Sequence, residues 1–411
     1  MLARPSRLLL AALALAWAAG LLAILTHPVF VTNDSLSNYG HAWFVSREFW
    51  DGNGIPYHFP EIGHGDALAF PYAFVPWLSA ALLRPLFGDW IVTLWLVLGA
   101  LGVISTTWWA FPEVRRPLAF SVILANPMLV EGAILSQLPF LWAAAFFFAA
   151  IACWRRGHAV AAVLLMALAQ GNHPAVLLPL AGLMVAGRLP WEQHRRRLVL
   201  WYALSVALAL PGVAMVFLSP VVEDTNLQGL LTNFAGTVSL RAGVIFAPIL
   251  VALALRFRPS LLLPLFVAVL ALNVVLIPIR DTTFGWQAFV RDPDTGLVPW
   301  LESPAFEKDA TYRILRSRDG KVGMYQIIER GGRLDSEFFP ESIDRRSWPD
   351  TEEYRAFLQK REVDAVIIYR LYDVRHMTNE HALLDELVAT GCARRIEENG
   401  DFQVYQVTAC R

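Results

Sequence analysis

Residues 27–66 of the chain are HPVFVTNDSLSNYGHAWFVSREFWDGNGIPYHFPEIGHGD. This stretch lies between an apolar N-terminal segment and a long series of apolar segments. Charged residues make up 17% of the whole chain, yet ionisable side chains are dense here. They are Asp34, His41, Glu48, Asp51, His58, Glu61, His64 and Asp66. We therefore expect polar chemistry to be concentrated in this stretch.

The rest of the chain has the composition of a membrane protein. Hydrophobic residues make up 56% of it, with 15 Trp and 25 Phe, and the mean hydropathy is +0.46. A soluble domain of this length does not need so many apolar side chains for its core. We predict a polytopic α-helical protein of the cell membrane, in contact with membrane lipids. The formal net charge of −1 provides no basic field for nucleic acid.

Short basic clusters between the apolar segments predict the topology. They are Arg115 and Arg116; Arg155 and Arg156; Arg195, Arg196 and Arg197; and Arg256 and Arg258. The positive-inside rule places all of them in the cytoplasm. Apolar segment 8–25 is long enough to span, so we predict an uncleaved first helix with a cytoplasmic N-terminus. Cleavage as a signal peptide near the Ala-Ala-Gly at 18–20 stays an alternative. On the first interpretation, residues 27–66 form the first outer loop.

Each pair of basic clusters must bracket an even number of crossings. Two helices each fit residues 117–154, 158–190 and 198–255. The connections are expected at 136–139, at 171–174 and at the polar loop 219–242. Because 260–278 then emerges outside, we predict about nine crossings in all.

Segment 68–87 decides whether the number of crossings agrees with a cytoplasmic Arg115 cluster. It contains Pro71, Pro76 and Pro85, whereas 90–111 has no internal proline and is typical of an ordinary spanning helix. We predict that 68–87 is a broken, re-entrant or interfacial helix on the outer side. The alternative, two full crossings, would place the Arg115 cluster outside.

The composition changes near Arg280, which predicts a transmembrane domain over 1–280 and an extracytoplasmic α/β domain over 281–411. Strands are expected at 312–315, 363–369, 393–396 and 402–407, and helices at 351–361 and 379–390. Asp350 and Asn379 are the predicted helix N-caps. Asn399-Gly400 indicates a hairpin turn between the last two strands. The domain has no glycine-rich nucleotide motif.

The three cysteines provide a test of this placement. Cys153 lies in an apolar segment, whereas Cys392 and Cys410 flank the predicted terminal hairpin. Because an extracytoplasmic domain lies in an oxidising compartment, we predict a disulfide between Cys392 and Cys410. Two free thiols would indicate a reducing cytoplasm instead.

Asp34 is the candidate for catalysis in the first outer loop. It lies at the boundary between lipid and water, where a general base would meet both a lipid-linked donor and a soluble acceptor. The alternative is that Asp34 N-caps a helix that begins at Ser35.

The order of an N-terminal helix, an acidic first outer loop, the proline-broken segment FPYAFVPWLSAALLRPLFGD, short helices and an outer C-terminal domain resembles the GT-C class of membrane glycosyltransferases. That resemblance implies a polyprenyl-phosphate sugar as donor and Asp34 as the catalytic base. Many members carry two adjacent acidic residues, whereas this chain has Asn33 before Asp34.

The resemblance also implies binding residues on other outer turns. The stretch ANPMLVEGAILSQLP is similar to an outer turn of those enzymes, so Glu131 and Gln137 are expected to face the same cavity as Asp34. QGNHP is similar to a turn where many members have a lysine for the lipid phosphate. Asn172 and His173 stand there in this chain, and His173 is a candidate phosphate donor. The alternative role of His173 is structural.

Two arginines and two loop residues complete the predicted substrate site. Arg241 is expected to open a helix at residue 242, and Arg280 to close one near residue 279. Both would lie at the outer surface, where a guanidinium suits phosphate but can also snorkel to lipid head groups. His41 and Glu61 are the expected substrate contacts from the first outer loop. We expect Asp34, Glu131, Gln137, His173 and Arg280 to converge on one outward-facing cavity.

Metal binding stays open. His58, Glu61, His64 and Asp66 have residue types that suit zinc or manganese, but their spacing matches no known closed pattern. We therefore assign no metal ligand. Some GT-C enzymes use a divalent ion.

The resemblance to the GT-C class implies an inverting sugar transfer from a polyprenyl-phosphate donor to an extracytoplasmic glycan, lipid or protein acceptor. The alternative is a non-catalytic membrane scaffold or lipid-binding protein on the same fold. The absent second acidic residue and the absent lysine favour that alternative. A transporter is a third hypothesis, but no inverted repeat is visible.

Overall fold

The computed structural model describes residues 3–27, 29, 35–56, 59–62, 73–173, 181, 200, 203–210, 227–269, 271, 297–315, 318–335, 347–369, 379–398 and 402–408. The chain forms two compact units. The first comprises Met1–Asn38, Phe70–Leu218 and Phe234–Val290. The second comprises Tyr39–Ala69, Ser219–Asn233 and Arg291–Arg411. The sequence alone did not indicate that most of the first outer loop belongs with the C-terminal domain.

The first unit is helical. The helices whose bounds the structure gives are α1 (Ala3–Leu25), the first turn of α2 (Ser35–Trp50), α3 (Phe74–Phe87), α4 (Trp90–Ala110), α5 (Pro117–Leu124), α6 (Pro127–Ile134), α7 (Leu138–Arg155), α8 (Ala159–Asn172), α9 (Leu227–Phe257) and α10 (Pro259–Val269). The N-terminal part of α9 belongs to the second unit.

Several of these helices are suited to a membrane. Pro5–Leu25, Trp90–Ala110 and Leu138–Arg155 are long and apolar enough to cross one. The pair α5 and α6, bent by 43°, makes a fourth if it is one broken span. The described residues therefore hold three or four candidate spans, which indicates a membrane protein. The predicted helices at 8–25 and 90–111 are confirmed, and the total of nine crossings stays a prediction.

Helix α3 is shorter than a span. It has 14 residues and contains Pro85, whereas a helix that crosses the apolar core of a bilayer needs roughly 20. Residues 63–72, which include Pro71, lie outside the described residues. The re-entrant path of 68–87 therefore stays a prediction.

The predicted cytoplasmic clusters meet at one end of the first unit. The guanidinium of Arg155 donates to the carbonyl of Ala110 at 2.8 Å and to both carboxylate oxygens of Glu113 at 2.9 and 2.6 Å. The positive charge of Arg256 also acts on Glu113. The C-terminal ends of α4, α7 and α9 are thus close together, as expected of clusters on one side of the membrane.

The second unit is built on a mixed sheet of five strands in the order β2-β1-β3-β5-β4. The strands are β1 (Thr311–Leu315), β2 (Arg333–Leu334), β3 (Ala365–Tyr369), β4 (Ala393–Glu398) and β5 (Phe402–Val407). Strand β1 pairs in parallel with β2 and β3, and β5 pairs antiparallel with β3 and β4. The helices are α11 (Val298–Leu301), α12 (Arg318–Glu329), α13 (Thr351–Lys360) and α14 (Glu380–Ala389).

The predicted α/β character of this domain is confirmed, with three additions. All four predicted strands and both predicted helices are present, but α11, α12 and β2 were not predicted. Asp350 caps α13 by accepting from the backbone N–H of Glu353 at 2.8 Å, as predicted. Asn379 precedes α14 but binds elsewhere: its side chain pairs with the backbone N–H and carbonyl of Trp348, at 2.9 and 2.6 Å.

The terminal strand pair and the cysteines agree with the sequence where they are described. Strands β4 and β5 pair up to Glu398 and Gln403, and the turn residues Asn399 and Gly400 lie outside the described residues. Cys392 is disulfide-bonded, as predicted, and Cys153 is a free, buried thiol. The predicted partner, Cys410, lies outside the described residues.

Candidate functional site

Polar side chains gather where α7 begins and α8 ends. Gln137 is the N-cap residue of α7, and His173 follows the last residue of α8. The two helices are antiparallel neighbours joined by a short connection at 156–158. Because α7 has 18 residues, this end lies about 27 Å from the end of the unit where Arg155 binds Glu113. We call that opposite end the basic end. We call the group Asn38, Gln137, Gln170, Asn172, His173 and Arg241 the polar end of the first unit.

Asn172 ties three helices together at the polar end. It is fully buried. Its side-chain amide donates to the carbonyl of Pro139 at 2.8 Å, and its side-chain oxygen accepts from the backbone N–H of Val75 at 3.3 Å. Its backbone carbonyl accepts from Ala73 at 3.1 Å. These bonds give Asn172 a structural role, and its predicted contact with substrate stays a prediction.

Asn38 fixes the start of α2 at the same end. Its side-chain amide donates to the carbonyl of Ser136 at 3.0 Å, and its oxygen accepts from the indole of Trp77 at 3.0 Å. Helix α2 begins at Ser35, as the alternative N-cap role of Asp34 requires. Asp34 itself, like Arg280, lies outside the described residues.

Arg241 lies inside α9 and does not open a helix. The predicted polar loop at 219–242 is wrong in its second half, because α9 is continuous over Leu227–Phe257. Apolar residues recur there at helical spacing, at 227, 230, 231, 234 and 238, between small polar residues. The short polar side chains had been interpreted as a loop.

A close helix contact sets the position of Arg241. A Cβ atom on Gly243 would lie 2.4 Å from the Cγ atom of Met128, so α6 approaches α9 where α9 has no side chain. The Asn126 amide adds a 3.0 Å hydrogen bond to the Gly243 carbonyl. Asn126 also caps α6 by accepting from the backbone N–H of Met128.

The guanidinium of Arg241 reaches the polar end. Its central carbon lies 5.9 Å from the centre of the Phe140 ring, and that ring meets His173 edge-on at 5.6 Å. The charge of Arg241 acts on the imidazole of His173. Within the described part of the chain, Arg241 forms no ion pair, and its buried Nε atom has no hydrogen-bond partner. An uncompensated cation in an apolar helix bundle is costly unless an anion joins it.

Gln170 is a polar-end residue that the sequence analysis missed. It is buried, at 5% exposure, and its side-chain nitrogen has no hydrogen-bond partner among the residues that the structure describes. It lies in the last turn of α8, three residues before His173. A polar residue one turn before a candidate ligand was the available signal.

The predicted site residues are only partly brought together. Gln137, His173 and Arg241 all lie at the polar end. Glu131 lies on α6, next to Gly132, whose carbonyl accepts from the backbone N–H of Gln137 at 3.0 Å. The common cavity with Asp34 and Arg280 stays a prediction.

His41 and Glu61 lie in the second unit. His41 is buried and meets the Phe59 ring edge-on at 5.5 Å. Glu61 binds Arg47 at 2.5 Å through one oxygen. In the described residues its other oxygen is buried without a hydrogen-bond partner. Their predicted contact with substrate stays a prediction.

Metal binding remains undecided at the first outer loop. No group of three or more His, Cys, Asp and Glu side chains within the described ranges could hold a metal ion. His58, His64 and Asp66, which belong to the candidate cluster, lie outside those ranges.

A buried ionic network lies in the α/β domain and was not predicted. Arg313 of β1 is fully buried and binds both carboxylate oxygens of Glu380 at 2.9 and 2.8 Å, and Asp335 at 3.0 Å. The hydroxyl of Tyr354 donates to Glu380 at 2.8 Å. Burial alone would lower the pKa of Arg313, but the charges of Glu380 and Asp335 raise it well above its usual value. The network joins β1, β2, α13 and α14 and is structural.

No protein-family model, curated protein or solved structure matches the chain. The function must therefore be argued from the site.

Proposed function

We propose that this protein is an integral-membrane glycosyltransferase that uses a polyprenyl-phosphate sugar as donor. Asp34 is the general base, and Arg241 with Arg280 binds the lipid phosphate. The acceptor is an extracytoplasmic glycan, lipid or protein. The family assignment rests on the resemblance to the GT-C class in the order of its segments.

The state of Arg241 carries the proposal. It is a permanent cation in an apolar helix, and no described carboxylate neutralises it. Two further polar groups lie at the same end, the ring of His173 and the amide of Gln170. A lipid phosphate is an anion that can enter such a site from the bilayer, and a guanidinium binds phosphate through two parallel hydrogen bonds.

The location of the polar end supports an extracytoplasmic reaction. Arg241 lies 15 residues before Arg256 on α9, which is about 23 Å along the helix. If Arg256 is cytoplasmic, as the positive-inside rule requires, Arg241 is near the outer surface. The disulfide of Cys392 favours an oxidising compartment for the C-terminal domain. Both arguments fit a multi-pass chain with about nine crossings and a cytoplasmic N-terminus.

The reaction is a single displacement at the anomeric carbon. Asp34 takes the proton of the acceptor hydroxyl, and the hydroxyl oxygen forms a bond to the anomeric carbon. The bond between that carbon and the phosphate oxygen breaks with inversion, and the polyprenyl phosphate leaves with the electron pair. Arg241 and Arg280 stabilise the charge that develops on the phosphate.

The experiment compares Asp34→Asn with Asp51→Asn in a transfer assay with labelled polyprenyl-phosphate sugars. Asp51 is an exposed carboxylate of the same loop, so it controls for the charge change. We expect Asp34→Asn to lower kcat by about 10²- to 10⁴-fold and Asp51→Asn to leave it unchanged. Equal activity of Asp34→Asn and the parent protein would refute Asp34 as the base.

The alternative function is a non-catalytic scaffold or lipid-binding protein. The bonds of Asn172 favour it, because the position where GT-C enzymes often have a lysine is engaged inside the protein. Saturable binding of polyprenyl phosphate without sugar transfer from any donor would support this alternative over catalysis.

A further inference from the structure

The edge strand β2 of the C-terminal sheet pairs with a segment of the first outer loop. At β2, the backbone N–H of Arg333 donates to the carbonyl of Ala310, just before β1, at 2.9 Å. The backbone N–H of Asp335, just after β2, donates to the carbonyl of Tyr312 of β1 at 3.1 Å. The N–H of Leu334, between them, points to the other side and donates to the carbonyl of Glu61 at 2.7 Å. Ile62 pairs in parallel with Leu334. The segment 59–62 thus extends the sheet beyond β2.

Side chains bury this junction. Ile62 and Leu334 are each 1% exposed. Phe59 is fully buried and stacks on Phe44 of α2, with ring centres 4.1 Å apart and planes 7° apart. The ring centre of Tyr39, in α2, lies 6.3 Å from that of Tyr325 of α12. Apolar burial of this kind stabilises the junction more than the single backbone bond does.

Arg47 links α2 to the docked segment. Its guanidinium lies over the rings of Trp43 and Phe44, at 4.7 and 5.0 Å. It binds Glu48 at 2.8 Å and Glu61 at 2.5 Å. Partial burial opposes its charge, but hydrogen bonds to Glu61 and Glu48 give it a raised pKa. The carboxylate of Glu61 therefore accepts a hydrogen bond from Arg47, and its backbone carbonyl accepts one from the N–H of Leu334.

We propose that the C-terminal α/β domain positions the first outer loop for the reaction. By holding segment 59–62 and the outer part of α2, it removes most conformations of a loop that would otherwise be free between its ends. Arg47 and Leu334 are positioning residues, because they act on the helix that follows Asp34 through their bonds to Glu61. The effect on catalysis rests on the proposed function, whereas the docking does not.

Hydrogen exchange of the full-length protein tests the docking. Leu334→Pro removes the N–H that reaches Glu61 and leaves the bonds between β1 and β2 intact, since that N–H points away from β1 and proline is tolerated at such positions of an edge strand. We expect exchange in peptides of 39–62 to become about three- to tenfold faster, with peptides of 351–369 unchanged. Arg333→Pro is the contrasting variant, because it removes a sheet bond and should loosen the domain itself.

A second pair of variants covers the case in which the proline unfolds the domain. Arg47→Gln leaves the sheet untouched and should accelerate exchange only in 39–62. Arg395→Gln is the matched control, because Arg395 also lies over an aromatic ring, at 5.3 Å from that of Tyr405. It also binds two acids, Asp385 at 2.7 Å and Glu398 at 3.1 Å. Unchanged exchange of 39–62 in both Leu334→Pro and Arg47→Gln, or equal acceleration in Arg47→Gln and Arg395→Gln, would overturn the docking.

The transfer assay separates positioning from mere stability. We expect Arg47→Gln to lower kcat about tenfold or more, as misplaced catalytic groups do, with KM for the donor unchanged. A raised KM with an unchanged kcat would overturn the positioning role. If the parent protein transfers no sugar, the proposed function fails while the exchange result still decides the docking.

Discussion

The guanidinium of Arg241 lies 5.9 Å from the ring centre of Phe140, so a residue of α9 and a residue of the first turn of α7 meet at the polar end. The same ring also meets His173 edge-on, at 5.6 Å. A cation over an aromatic face keeps part of its electrostatic stabilisation without a carboxylate. Arg241 is thereby held in place and still able to accept an anion.

Replacing Arg241 should weaken binding of the lipid phosphate. Loss of a charge-assisted contact costs about 1.5–3 kcal/mol, so we expect Arg241→Gln to raise Kd for polyprenyl phosphate about 10- to 100-fold. Arg241→Lys should recover only part of the affinity, because an ammonium cannot bind in two parallel bonds. Binding is measured by titration in detergent or nanodiscs. Arg256→Gln, on the basic end of the same helix, is the control; an equal loss in both variants would contradict a specific site.

Gly243 should not tolerate a side chain. Because an added Cβ would lie 2.4 Å from Met128, we expect Gly243→Ala to destabilise the protein by about 1–3 kcal/mol, seen as a lower Tm in detergent. Gly20→Ala is the control, since nothing lies within 4 Å of an added Cβ there. A second substitution, Met128→Ala, should restore part of the loss. An unchanged Tm for Gly243→Ala would contradict the close contact between α6 and α9.

The contribution of the Arg155–Glu113 ion pair to stability should depend on pH. Partial burial would raise the pKa of Glu113, but the hydrogen bond and charge of Arg155 outweigh it, and the pKa is lowered from 4.5. A carboxyl with a lowered folded pKa stabilises the protein fully above its unfolded pKa and loses that effect as pH falls through the folded pKa. The Tm difference between the parent and Glu113→Gln should therefore be present at pH 7 and shrink as the pH falls below the ordinary glutamate pKa of about 4.3. A constant difference across this range would argue against the pair.

The buried network of the C-terminal domain should be sensitive to removal of one member. Glu380→Gln leaves Arg313 with less compensating charge in a buried position, and breaking a buried pair costs about 3–5 kcal/mol. We expect rapid trypsin cleavage within 297–408 for this variant. Arg394→Gln, an exposed change on β4, should resist trypsin as the parent does. Resistance of Glu380→Gln would show that the network adds little stability.

The disulfide should be detectable without reduction. Alkylation of the unreduced, denatured protein followed by mass spectrometry should modify Cys153 and leave Cys392 unmodified. After reduction, Cys392 should also be alkylated. Alkylation of Cys392 before reduction would contradict the bond and remove one argument for an extracytoplasmic domain.

Local features of the fold followed from the sequence, because local patterns determine them. Continuous apolar runs predicted α1 and α4, the break at Ser136 and Gln137 was predicted before α7, and Asp350 was predicted as a cap. The start of α9 was missed, since small polar residues suggested a loop where apolar residues still recur at helical spacing.

Contacts between distant parts of the chain could not be predicted in the same way. The pairing of Ile62 with Leu334 joins segments more than 270 positions apart, and no local pattern in either segment indicates the other. In the sequence, nothing distinguishes Arg313 from a solvent-exposed charged residue of a strand. Its burial is explained only by Glu380 and Asp335, which the fold brings beside it. For the candidate site, the resemblance to the GT-C class indicated Gln137 and His173, and the expected outer position indicated Arg241. Neither indicated the buried amide of Gln170.

Within the described residues, each edge of the sheet of the second unit has a feature that discourages pairing with another copy of the protein. One edge, β2, is covered by residues 59–62, and the other, β4, has Arg394, Arg395, Glu397 and Glu398 among its six residues. Charged side chains on an exposed strand discourage pairing with a second sheet. A membrane confines proteins to two dimensions and raises their encounter rate. Release of the first outer loop would therefore expose the unpaired backbone groups of β2. Clustering of neighbouring molecules through this edge is a second consequence of undocking.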